Sequence, residues 1–284
     1  MSASDTGSRR RRRGSSTAAR IIVVVFIVVW IFPIYWMLNT SFKPGGSIMN
    51  STPAFLPIPA SLDNFVTALT KPGFLVSLAN SVVVVLGVVV LSIGLGFLAA
   101  AAVSRFRFRG RRAILVCMLA VQMIPSAALL IPLFLAMKSL NMLDSFVGLG
   151  LAYTASVLPF TIWTLRGFFV MIPKEVEEAA MIDGAGTVRI LRSILFPLLV
   201  PGMIATSVFA FITAWNDYIV AYVMMKDQGR YTLPIWLVSF STNSGTDYGG
   251  LIAASVLFAL PVVIFFLIVQ RNLVAGMAAG AVKG

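Results

Sequence analysis

The sequence predicts an all-α polytopic membrane protein with six membrane-spanning helices, and two observations predict it. The 284 residues are 59% hydrophobic and only 11% charged, with a mean hydropathy of +0.95, against ~45–50% apolar and ~25% charged in soluble domains. A water-soluble fold cannot cover that much apolar side chain, so the surplus faces lipid. Six windows are free of Asp, Glu, Lys and Arg, at 21–42, 72–104, 113–137, 145–165, 193–216 and 248–270, and each has 21 residues or more. A helix needs ~20 residues to cross a hydrocarbon core.

The elements follow in order. Residues 1–20, rich in Ser, Arg and Gly, read as a disordered basic tail. The first span lies near 21–40. A basic segment before an apolar run also opens secretory signals, but Phe32, Pro33, Tyr35 and Trp36 stand where a small-x-small cleavage site belongs. The helix is therefore expected to stay uncleaved. Pro44, Pro53, Pro57, Pro59 and Pro72 make 43–75 irregular or broken by short helices. The second span lies near 77–103, followed by a short basic turn at 105–112. The third, near 113–137, carries Pro125 and Pro132, which predict a kinked helix lining a cavity. The fourth, fifth and sixth spans lie near 146–166, 198–223 and 248–270. The uncharged stretch 231–246 contains Pro234 and turns polar from Ser239, so it reads as an interfacial segment. Residues 21–271 thus form one transmembrane domain, with a long loop containing 173–197 and a tail at 272–284.

The net charge of +12 is distributed by topology. With both termini cytoplasmic, seventeen of the 22 Lys and Arg residues fall inside and five outside, which is the bias that orients spans. The Arg9–Arg13 run sits near anionic lipid heads, and the basic balance is not a nucleic-acid surface. The chain has no His, which removes Ser-His-Asp triads and HExxH zinc sites. Its one cysteine, Cys117, allows neither an intramolecular disulfide nor a CxxC site. No GxxxxGK[ST] loop is present to cradle a nucleotide phosphate. No resident metal or cofactor is expected.

The loop at 173–197 carries most information. Pro173 suits a helix start, and Glu175, Glu177 and Glu178 complement the positive end of that helix. Ala179 and Ala180 continue it, and Gly184 and Gly186 break it. A second helix near 187–196 would place Val188, Leu191 and Leu195 on one face and Arg189 and Arg192 elsewhere. The reading is two short amphipathic helices joined by a sharp elbow.

Glu178-Ala179-Ala180, three residues, Gly184, nine residues, Ile194 and then Pro197 closely resembles the EAA loop of permease subunits in binding-protein-dependent ABC importers. Phe196 stands where the family usually has Leu. The resemblance covers roughly residues 20–284 and is to the six-helix, maltose-transporter type of carbohydrate permease. It is carried also by Asn80-Ser81, Arg105-Phe106 through Gly110, Met123-Ile124-Pro125, Ile172-Pro173, Ile182-Asp183-Gly184-Ala185, Trp215 to Tyr218, Thr232-Leu233-Pro234 and Ala279 to Gly284. The resemblance implies the type I ABC importer permease fold in a bacterial cell membrane. It implies a second homologous permease, two ATPase subunits carrying ATP and Mg, and an extracytoplasmic sugar-binding protein. It also implies ATPase coupling through Glu178, Ala179, Ala180, Asp183, Gly184, Ile194 and Pro197, and an ATPase contact by the tail with Gly280 and Lys283.

Polar residues within spans are functional candidates by default; here they are Asn39, Asn80, Gln122, Asn216 and Asp217. Gln122, Asn216, Asp217 and Tyr218 are the candidate translocation-pathway residues, because amide, carboxylate and aromatic groups suit a sugar. Interfacial aromatics and packing between subunits are the plainer reading of Trp215 to Tyr218. An ATP-independent secondary transporter or channel is the alternative function, with Asp217 its acidic candidate. An intramembrane protease-like enzyme would need a pair of close carboxylates, which the spans do not offer.

Overall fold

The computed structural model describes residues 7–243 and 245–281. The chain divides into two compact units, one of the residues up to Lys71 with Phe240–Leu257, the other of Pro72–Ser239 with the chain from Phe258 onward.

In the first unit α1 runs from Gly7 to Ser41. The basic residues from Gly7 on therefore extend the first span as helix and do not form the disordered tail expected for 1–20; residues 1–6 lie outside the described set. Elongating an existing helix adds one hydrogen bond per residue fixed, with no new nucleation cost. The apolar side chains from Ile21 to Phe32 are all exposed along α1, a surface for lipid or a partner to cover. After Ser41 come a 3₁₀ turn at Gly45–Ser47 and α2 at Asp63–Thr70. The carbonyls freed at the end of α1 are taken up by side chains. Asn64 donates from Nδ2 to the carbonyls of Ser41 (3.1 Å) and Lys43 (2.7 Å). Asn39 donates to the carbonyl of Ala54 at 3.0 Å. A two-residue hairpin, β1 (Ser241–Thr242) against β2 (Gly245–Thr246), is antiparallel with Ser241 opposite Thr246.

The second unit is built on α3 (Phe74–Arg105), α6 (Phe146–Met171) and α9 (Phe196–Asn216). These three pack on one another around Phe97, Ala100, Leu165, Phe169, Leu199 and Met203. At Gly96 a Cβ would come 2.5 Å from Thr161 Cγ2. The absent side chain lets α3 and α6 approach closely, as small residues do between membrane helices. With 32 residues, α3 is about 48 Å long and outruns a ~30 Å hydrocarbon core, so its end at Arg105 projects beyond the apolar layer.

Among the described residues five helices are long and apolar enough to cross a membrane, and a bent pair is a sixth if it counts as one span. That pair is α4 (Arg111–Gln122) and α5 (Ser126–Ser139), which meet at 106°. The single kinked span expected over 113–137 is thus two helices. Pro125, extended at ψ 130° and unable to donate, ends the α4 ladder, and Pro132 lies inside α5 without breaking it. The fifth span also differs from 198–223. It is continuous from Thr187 to Asn216, and the chain breaks before α10 (Ile219–Met224). Short α11 (Leu233–Val238) buries Leu233, Pro234, Ile235 and Trp236, so this part of 231–246 packs against the protein and is too short to be a span. Asn80 donates to the carbonyls of Gly229 and Tyr231, both at 3.0 Å, and Ser81 Oγ accepts from Leu233 N at 2.7 Å. These bonds seat the segment before α11 on α3. The last helix, α12, runs from Tyr248 to Ala281. The tail expected at 272–284 is therefore helical through Ala281, and Lys283 lies outside the described residues.

The turn between α5 and α6 is fastened to the segment after α10. Asp144 Oδ1 accepts from the backbone amides of Lys226 and of Asp227, and the Arg230 guanidinium donates to the Asp144 carbonyl. The Lys226 amide first, then that of Asp227, hold the Asp144 carboxyl below its ordinary value against a smaller opposing effect of burial, with the Arg230 charge adding to them. A depressed folded pKa means that this fastening stabilises above the unfolded pKa and is lost as the pH falls through the folded one.

Candidate functional site

The EAA loop begins beyond Met171. After Pro173, helix α7 (Glu175–Ile182) carries three carboxylates in its first turn, complementing the positive helix end. It stops in a Schellman turn. Gly184 N bonds the Met181 carbonyl (3.0 Å), Ala185 N bonds the Ala180 carbonyl (2.9 Å), and Gly184 sits at φ +81°. The left-handed residue at the break is a conformation that glycine adopts without penalty. Helix α8 (Thr187–Ile190) then passes through a π turn, Leu191–Leu195, directly into α9. The expected second helix of the elbow is thus the first turns of the fifth span.

Helical spacing divides the two faces. Glu177 and Ala180, three apart, turn inward; Glu178, Ala179, Ile182, Asp183 and Gly184 are exposed. From the second helix Ile190 and Leu195 are buried, and Leu191 and Ile194 pack partly against the same core. Val188, expected on that face, is instead 77% exposed. The inward positions 190, 191, 194 and 195 follow the i, i+1, i+4, i+5 pattern of one helical face, and Val188 falls outside it. Pro197 is exposed in the first turn of α9. Ile182, 88% exposed, and Val188 stand out as apolar ridges on either side of the Gly184 turn, flanked by Glu178, Asp183 and Arg189.

The buried carboxylate has a partner on another helix. Arg105, the last residue of α3, places Nε 2.5 Å from Glu177 Oε1, with both side chains 11% exposed. Its Nη2 donates to the Ile172 carbonyl at 3.1 Å, and its guanidinium lies 5.7 Å from the centre of the Phe169 ring. Sequence reasoning placed neither residue in the site. The available signal was an arginine at a span end and three glutamates of which helical spacing puts one on the Ala180 side. A pocket of about 220 Å³ opens beside the pair, between Phe106, Lys174, Glu178 and Thr187.

The four candidate pathway residues separate into two places. Gln122, exposed at the end of α4, lines a pocket of about 420 Å³ with Ser126, Leu129 and Pro132 from the broken span and Ser156 and Pro159 from α6. Asn216 is exposed at the end of α9 and donates back to the Ile212 carbonyl at 2.8 Å. Asp217 is not a free acid. Its Oδ1 accepts from Tyr153 OH (3.0 Å), Val220 N (3.0 Å) and Ala221 N (3.3 Å). It thereby satisfies the amides left open at the start of α10. Tyr218, half-buried, stacks on Tyr222 at 5.3 Å. Of the remaining polar span residues, Asn39 and Asn80 hold loop carbonyls, as described above. No group of three or more His, Cys, Asp or Glu residues that could hold a metal occurs among the described residues.

The family model described as binding-protein-dependent transport system inner membrane component matches residues 92–279. The diacetylchitobiose uptake system permease protein DasC of Streptomyces coelicolor is 42% identical over 254 residues, covering 89% of this chain and 92% of that protein. The trehalose/maltose transport system permease protein MalG of Thermococcus litoralis is 33% identical over 260 residues, covering 90% and 93%. A chain in the crystal structure of a bacterial ABC transporter involved in the import of the acidic polysaccharide alginate superposes with a TM-score of 0.80 at 25% identity, covering 95% of this chain and 99% of that one. An elbow with the EAA spacing, set on five apolar helices and one broken pair, and these likenesses over nearly the whole length lead to one conclusion: the chain belongs to the multi-pass inner membrane components of binding-protein-dependent transport systems.

Proposed function

We propose that this permease serves ATP-driven uptake of a sugar or sugar derivative, pairing with a second permease and drawing its energy from two ATPase subunits that hold ATP and Mg. The observation that carries the reading is the elbow at 173–197. It is anchored inward by Glu177, Ala180, Ile190 and Leu195, and it presents Glu178, Ile182 and Val188 outward to a soluble partner. An extracytoplasmic binding protein delivers the substrate, as the family description implies. Support for the sugar class comes from the relatives, whose names specify diacetylchitobiose uptake and trehalose/maltose transport. The tail with Gly280 and Lys283 reaches the ATPase pair in this reading.

The pathway reading now rests on Gln122. A lone amide in hydrocarbon costs several kcal/mol unless paired, and the mainly apolar pocket beside the α4–α5 break brings it together with the hydroxyl-bearing Ser126 and Ser156. The test is uptake by the complete complex in vesicles with its binding protein and ATP. Wild type is expected to take up sugar only with ATP and the binding protein present. Gln122→Leu is expected to assemble normally and to take up sugar about 5- to 150-fold more slowly, in line with the ~1–3 kcal/mol span for one polar contact. Uptake without the ATPase subunits would identify a secondary transporter, and unchanged kinetics in Gln122→Leu would remove that residue from the pathway.

Both termini are cytoplasmic in this reading, as the placement of Lys and Arg requires. In a Cys117→Ser background, Ile58→Cys, at an exposed position in the loop before α2, should react with an impermeant thiol reagent from outside intact cells. Arg109→Cys, exposed in the turn before α4, should not. The reverse pattern would invert the topology.

A further inference from the structure

Resting on the reading of the elbow as the coupling element, we propose that Arg105 is the positioning residue that makes α3 and α6 move with it. The elbow has a continuous helical path into α9, through α8 and the π turn. It has no such path to the other two core helices. Helix α6 ends at Met171 and reaches α7 through non-helical Ile172 and Pro173, and α3 is more than sixty residues away in sequence. A push on the elbow would therefore turn α9 first, reach α6 through that non-helical linker and side chains, and reach α3 only through side chains.

Arg105 closes that gap with one guanidinium. It belongs to α3, donates to the Ile172 carbonyl at the end of α6, lies over Phe169 of α6 and pairs with Glu177 of α7. The apolar contacts around it, from Ala180, Ile190 and Leu195, are non-directional and let surfaces slide. The hydrogen bond to Ile172 fixes direction and the Nε–Oε1 ion pair holds α7 at contact distance, so together they resist shear. The low exposure of both side chains makes the pair hard to open, because removing one partner leaves a buried charge uncompensated. The cation also sits at the negative end of α3, where it is favoured.

The experiment uses the complete complex with its binding protein and compares Arg105→Lys, Arg105→Gln, Glu177→Gln and the exchange Arg105→Glu with Glu177→Arg. Glu178→Lys, on the exposed face, is the control. Three quantities are read: ATPase subunits retained per permease, ATP hydrolysis stimulated by the binding protein, and sugar moved per ATP. Retained subunits and continued hydrolysis are expected in the Gln variants, with sugar per ATP down roughly tenfold. Arg105→Lys, whose single ammonium cannot form the same fork, falls between them and wild type. The exchange recovers part of the ratio. A wild-type ratio in the Gln variants, with the control impaired, overturns the tether and leaves the coupling reading intact. Loss of the ATPase subunits from the Gln variants also overturns it, since Arg105 would then only shape the docking surface. Wild-type behaviour in all variants including the control removes the coupling role of the elbow itself.

Discussion

Gly184→Val is expected to insert normally and to lose most binding-protein-stimulated uptake. Gly184 holds the elbow at φ +81°, which an L-residue adopts at a cost of ~1–2 kcal/mol and a β-branched one at more. A shift of that size changes the population of the correctly bent elbow by a factor of about 5–30. No atom lies within 4 Å of the position a Cβ would take, so nothing within the chain clashes. The graded series separates strain from obstruction at the partner. Asn tolerates the left-handed conformation, so Gly184→Asn should recover much of the uptake if backbone strain is the cause. If Asn and Val are equally inactive, the side chain is blocking a close approach of the ATPase. Normal uptake and normal stimulated hydrolysis in Gly184→Val would dismiss the elbow as the coupling element.

Ile182→Glu should detach the ATPase subunits. In the isolated chain Ile182 is 88% exposed, so the change leaves the fold untouched. In the docked complex proposed above, burying the isoleucine contributes ~1.5–3 kcal/mol, and a carboxylate there adds an unpaired charge next to Glu178 and Asp183. The loss corresponds to at least about a tenfold weaker association. It is measured as ATPase subunit recovered with tagged permease, with Ile182→Leu as the conservative control. Full recovery in Ile182→Glu would place the docking surface elsewhere.

Much of the architecture was open to a reader of the sequence. Charge-free windows located every long helix, because excluding ions from hydrocarbon is a strong and local constraint. Gly184 announced the elbow, because a left-handed break selects glycine at one position. The break between α4 and α5 was legible as a proline signal, while its 106° was not, since the angle is settled by what α5 packs on. Helical spacing puts one of Glu175, Glu177 and Glu178 on the Ala180 side, but it does not name the cation that makes burying it tolerable. Glu177 is singled out by Arg105, a partner far away in sequence. Val188 was misplaced because the reading took the wrong phase for a helix whose inward residues are Ile190, Leu191, Ile194 and Leu195. Asp217 looked like a free intramembrane acid, and its ties to Tyr153 and the first amides of α10 are tertiary and conformational facts that composition does not encode.

The π turn at Leu191–Leu195 makes chain length itself a working part. Each residue of an α-helix advances the screw by about 100°, and a π turn is a place where one residue more than the regular repeat is accommodated. Deleting a single residue there would leave Glu178, Gly184, Ile182, Leu199 and Met203 all present in the chain. A residue deleted from the π turn would be absorbed by its return to the regular repeat, whereas one deleted from the regular helix beside it would rotate the outward face of the elbow by roughly a quarter turn about the axis of α9. In the coupling reading proposed above, the spacing between Gly184 and Pro197 is a gear setting between a soluble motor and the membrane helices, and an indel in its regular helix would throw the machine out of phase without removing a tooth.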